Sequence, residues 1–336
     1  MLSFKNIYLL PIITFISLLL GFYFGEDSLG AGKEDYEYHI KYFLNFSENF
    51  YKTYNEFGLD QESSSVRNSP IFYMFFSIFL KLGMSLENLK FINFLIIIPF
   101  FIFFFKCLEI KYSEINLENK LILSSILFLS PTIRTLLIWP YPLIWALCFF
   151  LISLYFFLIF ENTKNFKEKI KFAYLNLFFL TISAYFTPNF SLFSIFFFYK
   201  FFLFYKLKKE TFIIILINLI LASPAIYFII SKDYYLFNST ISTIGNYTKY
   251  NLSNKIIIIS SMCFLFFLPF MRAKKLINQI NKAFKIDNTF FILLLFICIN
   301  LYYYNFNLGP SNSGGGIFYH LSNLLFNNSL ILFFVF

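Results

Sequence analysis

Residues 69–82 read SPIFYMFFSIFLKL. Whether they cross a membrane decides the fold, because the side on which the other connections lie depends on it. The stretch is apolar, yet it holds 14 residues, where a helix needs about 20 to cross a hydrocarbon core of about 30 Å. Proline can open a helix at its first turn, where an N–H would be unpaired in any case, so a short helix beginning at Pro70 is the natural reading. The sequence predicts a re-entrant or interfacial helix here and not a full span.

The surrounding composition sets the frame. A mean hydropathy of +0.69, with 59% hydrophobic and 13% charged residues, excludes a soluble globular domain, where about a quarter of residues are charged. Apolar runs recur at 7–24, 91–105, 121–138, 142–160, 172–187, 189–204, 211–230, 256–271, 288–304 and 321–336. The sequence thus predicts an all-α polytopic membrane protein, a single transmembrane domain over 1–336 with about 10 transmembrane helices. The first run is long for a signal-peptide core and lacks a small-residue cleavage site, so it is expected to stay as a span. Cys107, Cys148, Cys263 and Cys298 lie in or beside apolar runs without paired spacing and read as apolar filling.

Lysine placement orients these runs, since short cytoplasmic loops are rich in Lys and Arg. Loop 161–171 carries Lys164, Lys167, Lys169 and Lys171, and loop 200–210 carries Lys200, Lys206, Lys208 and Lys209. Loop 272–287 carries Arg272, Lys274, Lys275, Lys282 and Lys285. The net charge of +9 therefore belongs to loops between spans, and no nucleic-acid partner is expected. With Lys5 marking a cytoplasmic N-terminus, parity closes only if 69–82 does not cross. Residues 25–90 then form one long external loop with interfacial helices, and 305–320 a second. An external N-terminus is the alternative.

The first loop is the charge anomaly of the chain. Between 25 and 68 stand nine acids, half of the chain's 18, against four bases. Its opening, GEDSLGAGKEDYEYHI at 25–40, carries Glu26, Asp27, Lys33, Glu34, Asp35 and His39. If 33–50 is helical with Tyr36, Ile40, Phe43 and Leu44 on its apolar side, Asp35 and His39 share a face by their i, i+4 spacing. That pair reads either as a general base tuned by a histidine or as an acid placed at a helix N-terminus beside a solvated histidine. Arg67 is either a phosphate ligand at headgroup depth or an interfacial anchor. Arg134, in LSPTIRTLLIWPYPL at 129–143, lies inside an apolar run, where a charge is expensive and needs a partner. GPSNSGGG at 309–316 is a glycine-rich external loop beside His320. No P-loop, GxSxG or zinc spacing is present.

The order of these features resembles the GT-C superfamily of membrane glycosyltransferases, which includes protein O-mannosyltransferases and aminoarabinose-type lipid A transferases. Members have a first span, then a long external loop with a catalytic acid, then interfacial helices opened by a short polar-Pro motif, here RNSPIFYMFFSIFLKLGMSLENLK at 67–90. A later span ends near a motif similar to LSPTIRTLLIWPYP at 129–142. The resemblance covers residues 1 to about 160 and rests on order and placement. The superfamily's members are often longer, which leaves room for a C-terminal part beyond SLILFFVF at 329–336.

The resemblance implies a bacterial inner-membrane enzyme with its active site on the periplasmic face. It would move a sugar, with inversion, from a polyprenyl-phosphate carrier to a hydroxyl of a lipid, glycan or protein acceptor. The catalytic acid falls on Asp35, with Asp27 as rival and with Glu34 and His39 in support. Arg67 and Arg134 match residues near the donor phosphate, joined by Lys33 and His320. Where several relatives place an acid in the second external loop, this chain has Trp139-Pro140-Tyr141-Pro142, which favours the branch that works without a metal or other cofactor. The rival expectations are a lipid-linked glycan polymerase or ligase, a transporter or flippase, and a membrane scaffold.

Overall fold

The computed structural model describes residues 8–28, 32–59, 68–232 and 324–325. The chain forms two compact units, 1–239 and 240–336, and the helices described below belong to the first. The candidate spans 256–271 and 288–304, nearly all of 321–336, and the loop 305–320 lie outside the described residues.

All regular structure among the described residues is helical. Twelve α-helices follow one another: α1 Leu9–Phe24, α2 Gly32–Glu48, α3 Phe50–Glu56, α4 Pro70–Lys81, α5 Leu86–Leu95, α6 Ile97–Lys111, α7 Leu117–Ile126, α8 Pro131–Ile138, α9 Pro142–Asn162, α10 Phe166–Phe186, α11 Phe193–Tyr205 and α12 Lys209–Ser231. Three helical stretches are long and apolar enough to cross a membrane: Leu86–Lys111 (α5 running into α6), Pro142–Asn162 and Lys209–Ser231. A fourth exists if Leu117–Leu129 and Pro131–Ile138, bent by 66° at Ser130, act as one span. Several helices can thus span a membrane, as an integral membrane protein requires. The described residues reach three or four such spans where the apolar runs predict seven by position 230. α1 is apolar but has 16 residues, and α10 opens on a charged first turn and a half.

The deciding stretch is a helix of 12 residues, about 18 Å at 1.5 Å per residue. Local chemistry sets both ends. Ser69 stands in extended backbone with its hydroxyl facing the Ile71 N–H, and Pro70 occupies the first turn. At the other end, Gly83 adopts a left-handed φ of 83°, and the amides of Gly83 and Met84 return to the Leu80 and Phe79 carbonyls, a Schellman stop that glycine makes without steric cost. Between these ends Phe72, Tyr73 and Phe76 are fully buried. Phe72 and Phe76 meet Phe43 of α2 at 5.4 and 5.1 Å, Phe75 meets Trp145 of α9 at 4.9 Å, and Phe72 and Phe75 reach Phe186 of α10. Stripes of this kind remove large aromatic areas from solvent. α4 is therefore a wedge of the protein core.

α9 and α10 form the tightest helix pair. Small residues let the backbones approach, as in membrane bundles: the Ser153 hydroxyl donates to the Asn176 carbonyl at 2.9 Å, Asn176 Nδ2 donates to the Ser153 carbonyl at 2.9 Å, and the Ser183 hydroxyl donates to the Ala146 carbonyl at 2.7 Å.

Candidate functional site

The polar centre is built by the way α1 stops. Gly25 takes a left-handed conformation (φ 63°, ψ 42°), and the amides of Gly25 and Glu26 return to the Phe22 and Gly21 carbonyls at 3.2 and 2.8 Å. This second Schellman motif satisfies carbonyls that would otherwise be orphaned and turns Glu26 back toward the bundle. There its carboxylate meets Arg134 of α8 through Nε at 2.8 Å and again through Nη2. The rest of the guanidinium is held by the Ser17 hydroxyl (3.2 Å), the Ser17 carbonyl (3.0 Å) and the Phe128 carbonyl (3.2 Å). A Cβ on Gly21 would crowd the Glu26 carboxylate and stand 2.7 Å from Nη2, so a side chain there would displace the paired groups. The Arg134 hydrogen bonds hold the Glu26 carboxyl below its usual range, against an opposing push from burial. Arg134 does have the partner that its burial demands, and that partner is an acid of the first loop.

Asp27 closes the start of α2. Its two carboxylate oxygens accept from the backbone N–H groups of Gly32 (3.1 Å) and Lys33 (3.0 Å), where a helix presents unpaired donors and positive potential. Asp35, a turn further on, is exposed, as are Lys33 and Glu34. No hydrogen bond or ion pair engages the Asp35 carboxylate among the described residues. Its pKa is raised, first by partial desolvation and then by the negative charges of Asp27 and Glu34. Of the two candidate bases, Asp27 is engaged in structure and Asp35 is free to accept a proton.

Next to them lies an aromatic cage with a cation. Tyr36 of α2 and Trp139, after α8, stand 5.7 Å apart, and Lys90 Nζ lies 4.7 Å from the Trp139 ring and 5.5 Å from the Tyr36 ring. Lys90 also pairs with Glu87 at 2.9 Å, the Trp139 indole donates to the Glu26 carbonyl at 3.0 Å, and the Tyr36 hydroxyl donates to the Leu86 carbonyl at 3.2 Å. The cage thus joins α2, α5 and α8 around the Glu26 turn.

His39 departs from the expected arrangement. The buried arc of α2 is Tyr36, His39, Tyr42, Phe43 and Phe46, so the histidine turns into the core while Asp35 faces outward. The face predicted from the i, i+4 spacing is split because α4 supplies aromatic surface that captures the imidazole. Nδ1 shares a hydrogen bond with the Tyr73 hydroxyl at 3.0 Å, Nε2 is buried without a partner among the described residues, and the rings of Phe72, Tyr73 and Tyr141 stand 5.4–5.8 Å away. Burial pushes its pKa down to about 4. Of the four residues expected on the apolar side, Tyr36 and Phe43 are buried, whereas Leu44 is exposed at 39%.

Sequence reasoning missed Glu26 as the Arg134 partner, Lys90, and Asn93. Asn93, fully buried on α5, donates to the Leu136 and Leu137 carbonyls at 3.0 and 2.8 Å and accepts from the Trp145 indole at 2.8 Å. It satisfies the end of α8, a helix too short and too buried to find water for its last carbonyls. A polar residue inside an apolar run was the available signal. Arg67 and His320 lie outside the described residues. Among the described residues no three His, Cys, Asp or Glu side chains converge as metal ligands. No family model, curated protein or solved structure matches the chain.

Proposed function

We propose that the protein is a membrane glycosyltransferase of about ten spans in a single domain. It takes a sugar from a polyprenyl-phosphate carrier to an acceptor hydroxyl at the periplasmic face of a bacterial inner membrane. The observation that supports this reading is the contrast between Asp27 and Asp35. One carboxylate is fixed to a helix terminus, and its neighbour is unengaged and more basic than usual, beside an aromatic cage that carries Lys90. In the reaction Asp35 accepts the proton of the acceptor hydroxyl as its oxygen bonds to C1, the C1–O bond to the phosphate breaks, and the lipid phosphate leaves with the bonding pair. A raised pKa brings the base toward the working pH. Lys33 and Lys90 are the described cations for the departing phosphate, with Arg67 and His320 in the same role. Arg134, with its donors engaged, acts by positioning the loop. Glu34 helps keep Asp35 basic.

One observation favours a second reading. A span broken by 66° beside a buried arginine is the kind of element that transporters and flippases use. Transfer measured in proteoliposomes supplied with labelled polyprenyl-phosphate sugars separates the two. Glycosyl transfer by wild type, lost in Asp35→Asn with the protein still folded, is the expected result. Movement of the labelled carrier between leaflets without transfer would overturn it in favour of transport.

A further inference from the structure

A cavity of about 330 Å³ lies between α3, α4, α10 and α12, apart from the Glu26–Arg134 centre. We propose that it holds the hydrocarbon chain of a membrane lipid whose phosphate head is met by Lys232, whether or not the protein transfers sugars. The volume is within the range of about 300–1,000 Å³ usual for ligand pockets. The space exists because Ala184, Ala222 and Ala225 face it, and Met74, Leu180 and Phe228 give it apolar walls. An apolar space of this size beside α12, a helix able to span a membrane, fills more favourably with hydrocarbon than with water, which needs two to four polar partners per molecule.

α12 is modified where it lines this space. Pro224 stands inside the continuous helix and removes one of its backbone hydrogen bonds. The carbonyl it deprives of an amide, that of Ile220, accepts instead from the Ser223 hydroxyl at 2.8 Å, and the Leu221 carbonyl accepts from the Tyr185 hydroxyl at 2.5 Å. A helical hydrogen bond lost at membrane depth is tolerated where side-chain hydroxyls re-satisfy the freed backbone groups. Asn218, near the middle of α12, also lines the cavity, and nothing among the described residues pairs with its side chain. A polar side chain within a span points to a pathway or ligand.

The head of the ligand is read from the end of the same helix. Lys232 is 5% exposed, its ammonium donates to the Asn55 carbonyl, and it sits 5.4 Å from the Tyr54 ring centre. Tyr54 is itself a wall of the cavity and packs on Phe228 at 5.7 Å. Among the described residues no carboxylate balances this buried cation, and an uncompensated buried charge is costly. A lipid phosphate is an anion that this ammonium can meet at the end of a chain of the cavity's size.

The test is photolabelling of the full-length protein in vesicles containing a trace of phosphatidylglycerol with a diazirine near its acyl terminus, followed by mapping of the labelled peptides. Label concentrated on residues 180–194 and 218–229 is expected. Excess phosphatidylglycerol or polyprenyl phosphate should compete it away, and whichever competes at lower concentration identifies the source of the chain. Ala222→Phe should abolish that label, and Lys232→Gln should reduce it about tenfold, the scale of a charge-assisted contact. Where Ala222→Phe does not accumulate, Ala184→Leu fills the space from the opposite wall, and the wild-type map is decisive by itself. Label spread evenly over the outward faces of α1 and α12 would overturn the cavity. Competition by diacylglycerol as strong as by either phosphate lipid would overturn the role of Lys232.

Discussion

Two carboxylates of one loop, Glu26 and Asp35, meet opposite surroundings. Glu26 is drawn inward by a Schellman turn, and every donor that faces it is matched, so its charged form is favoured. Asp35 is partly desolvated, with two like charges beside it and no partner among the described residues, so its charged form is disfavoured. The difference separates holding from reacting. A carboxylate that stabilises the fold is one whose charge the fold wants, and a carboxylate available as a base is one whose charge the fold barely tolerates.

This contrast can be broken most forcefully at Arg134. Arg134→Gln leaves the Glu26 carboxylate uncompensated, and a loss of about 3 kcal/mol is expected, the low end for breaking a buried pair, because the Glu26 side chain keeps 29% exposure. Thermal unfolding in detergent reads it. Replacing both members together, Glu26→Met with Arg134→Met, should recover most of the loss, which a purely steric role for Arg134 would not allow.

Asn93→Leu removes three hydrogen bonds at once and strands the Leu136 and Leu137 carbonyls and the Trp145 indole. The expected loss is about 3 kcal/mol, read in the same melting experiment. Because Asn93 holds the end of α8, transfer activity should fall with stability and not independently of it.

pH sharpens the comparison through His39. Its folded pKa of about 4 lies below the unfolded value of 6.5, so the unfolded chain binds more protons between these limits, and stability falls as pH drops through that window. At pH 5 this amounts to about 2 kcal/mol. His39→Phe should flatten the stability profile between pH 6.5 and about 4. The stabilisation from Glu26 is present above the ordinary carboxylate value of 4.5 and is lost as pH falls through its lowered folded pKa, so it should persist in that variant and give a separate limb at lower pH.

The smallest effect on stability is expected at Asp35, the proposed base. With a raised folded pKa, ionised Asp35 opposes folding above its unfolded pKa, and the penalty disappears as pH falls below that value. Asp35→Asn should therefore stabilise the protein at neutral pH by no more than about 1 kcal/mol, because water screens an exposed carboxylate. The gain should vanish below about pH 4.

What the sequence made legible was local. A short helix at 69–82 follows from Pro70 and from a length that cannot cross a bilayer, and the helical reading of 33–50 follows from its apolar period. The buried Arg134 announced a partner. Which acid would answer could not be read, because Glu26 lies far away in the chain and reaches Arg134 only through the turn that Gly25 permits. The orientation of His39 failed for a related reason. The i, i+4 rule says which residues lie near one another on a helix, but the width of the buried arc was fixed by Phe72, Tyr73 and Tyr141 from other elements. The apolar run 121–138 likewise gave two bent helices in place of a straight span, because Pro131 interrupts the backbone hydrogen bonds that a continuous span needs.

The central claim is that Asp35 acts and Glu26 holds, and one preparation tests it: purified Asp35→Asn, with its melting curve and its transfer of labelled sugar from polyprenyl phosphate measured side by side with wild type. The account predicts an unchanged or slightly raised melting temperature together with a loss of transfer of about 10²–10⁴-fold, the contribution of a positioned general base. Transfer retained at the wild-type rate by a folded Asp35→Asn protein would contradict it.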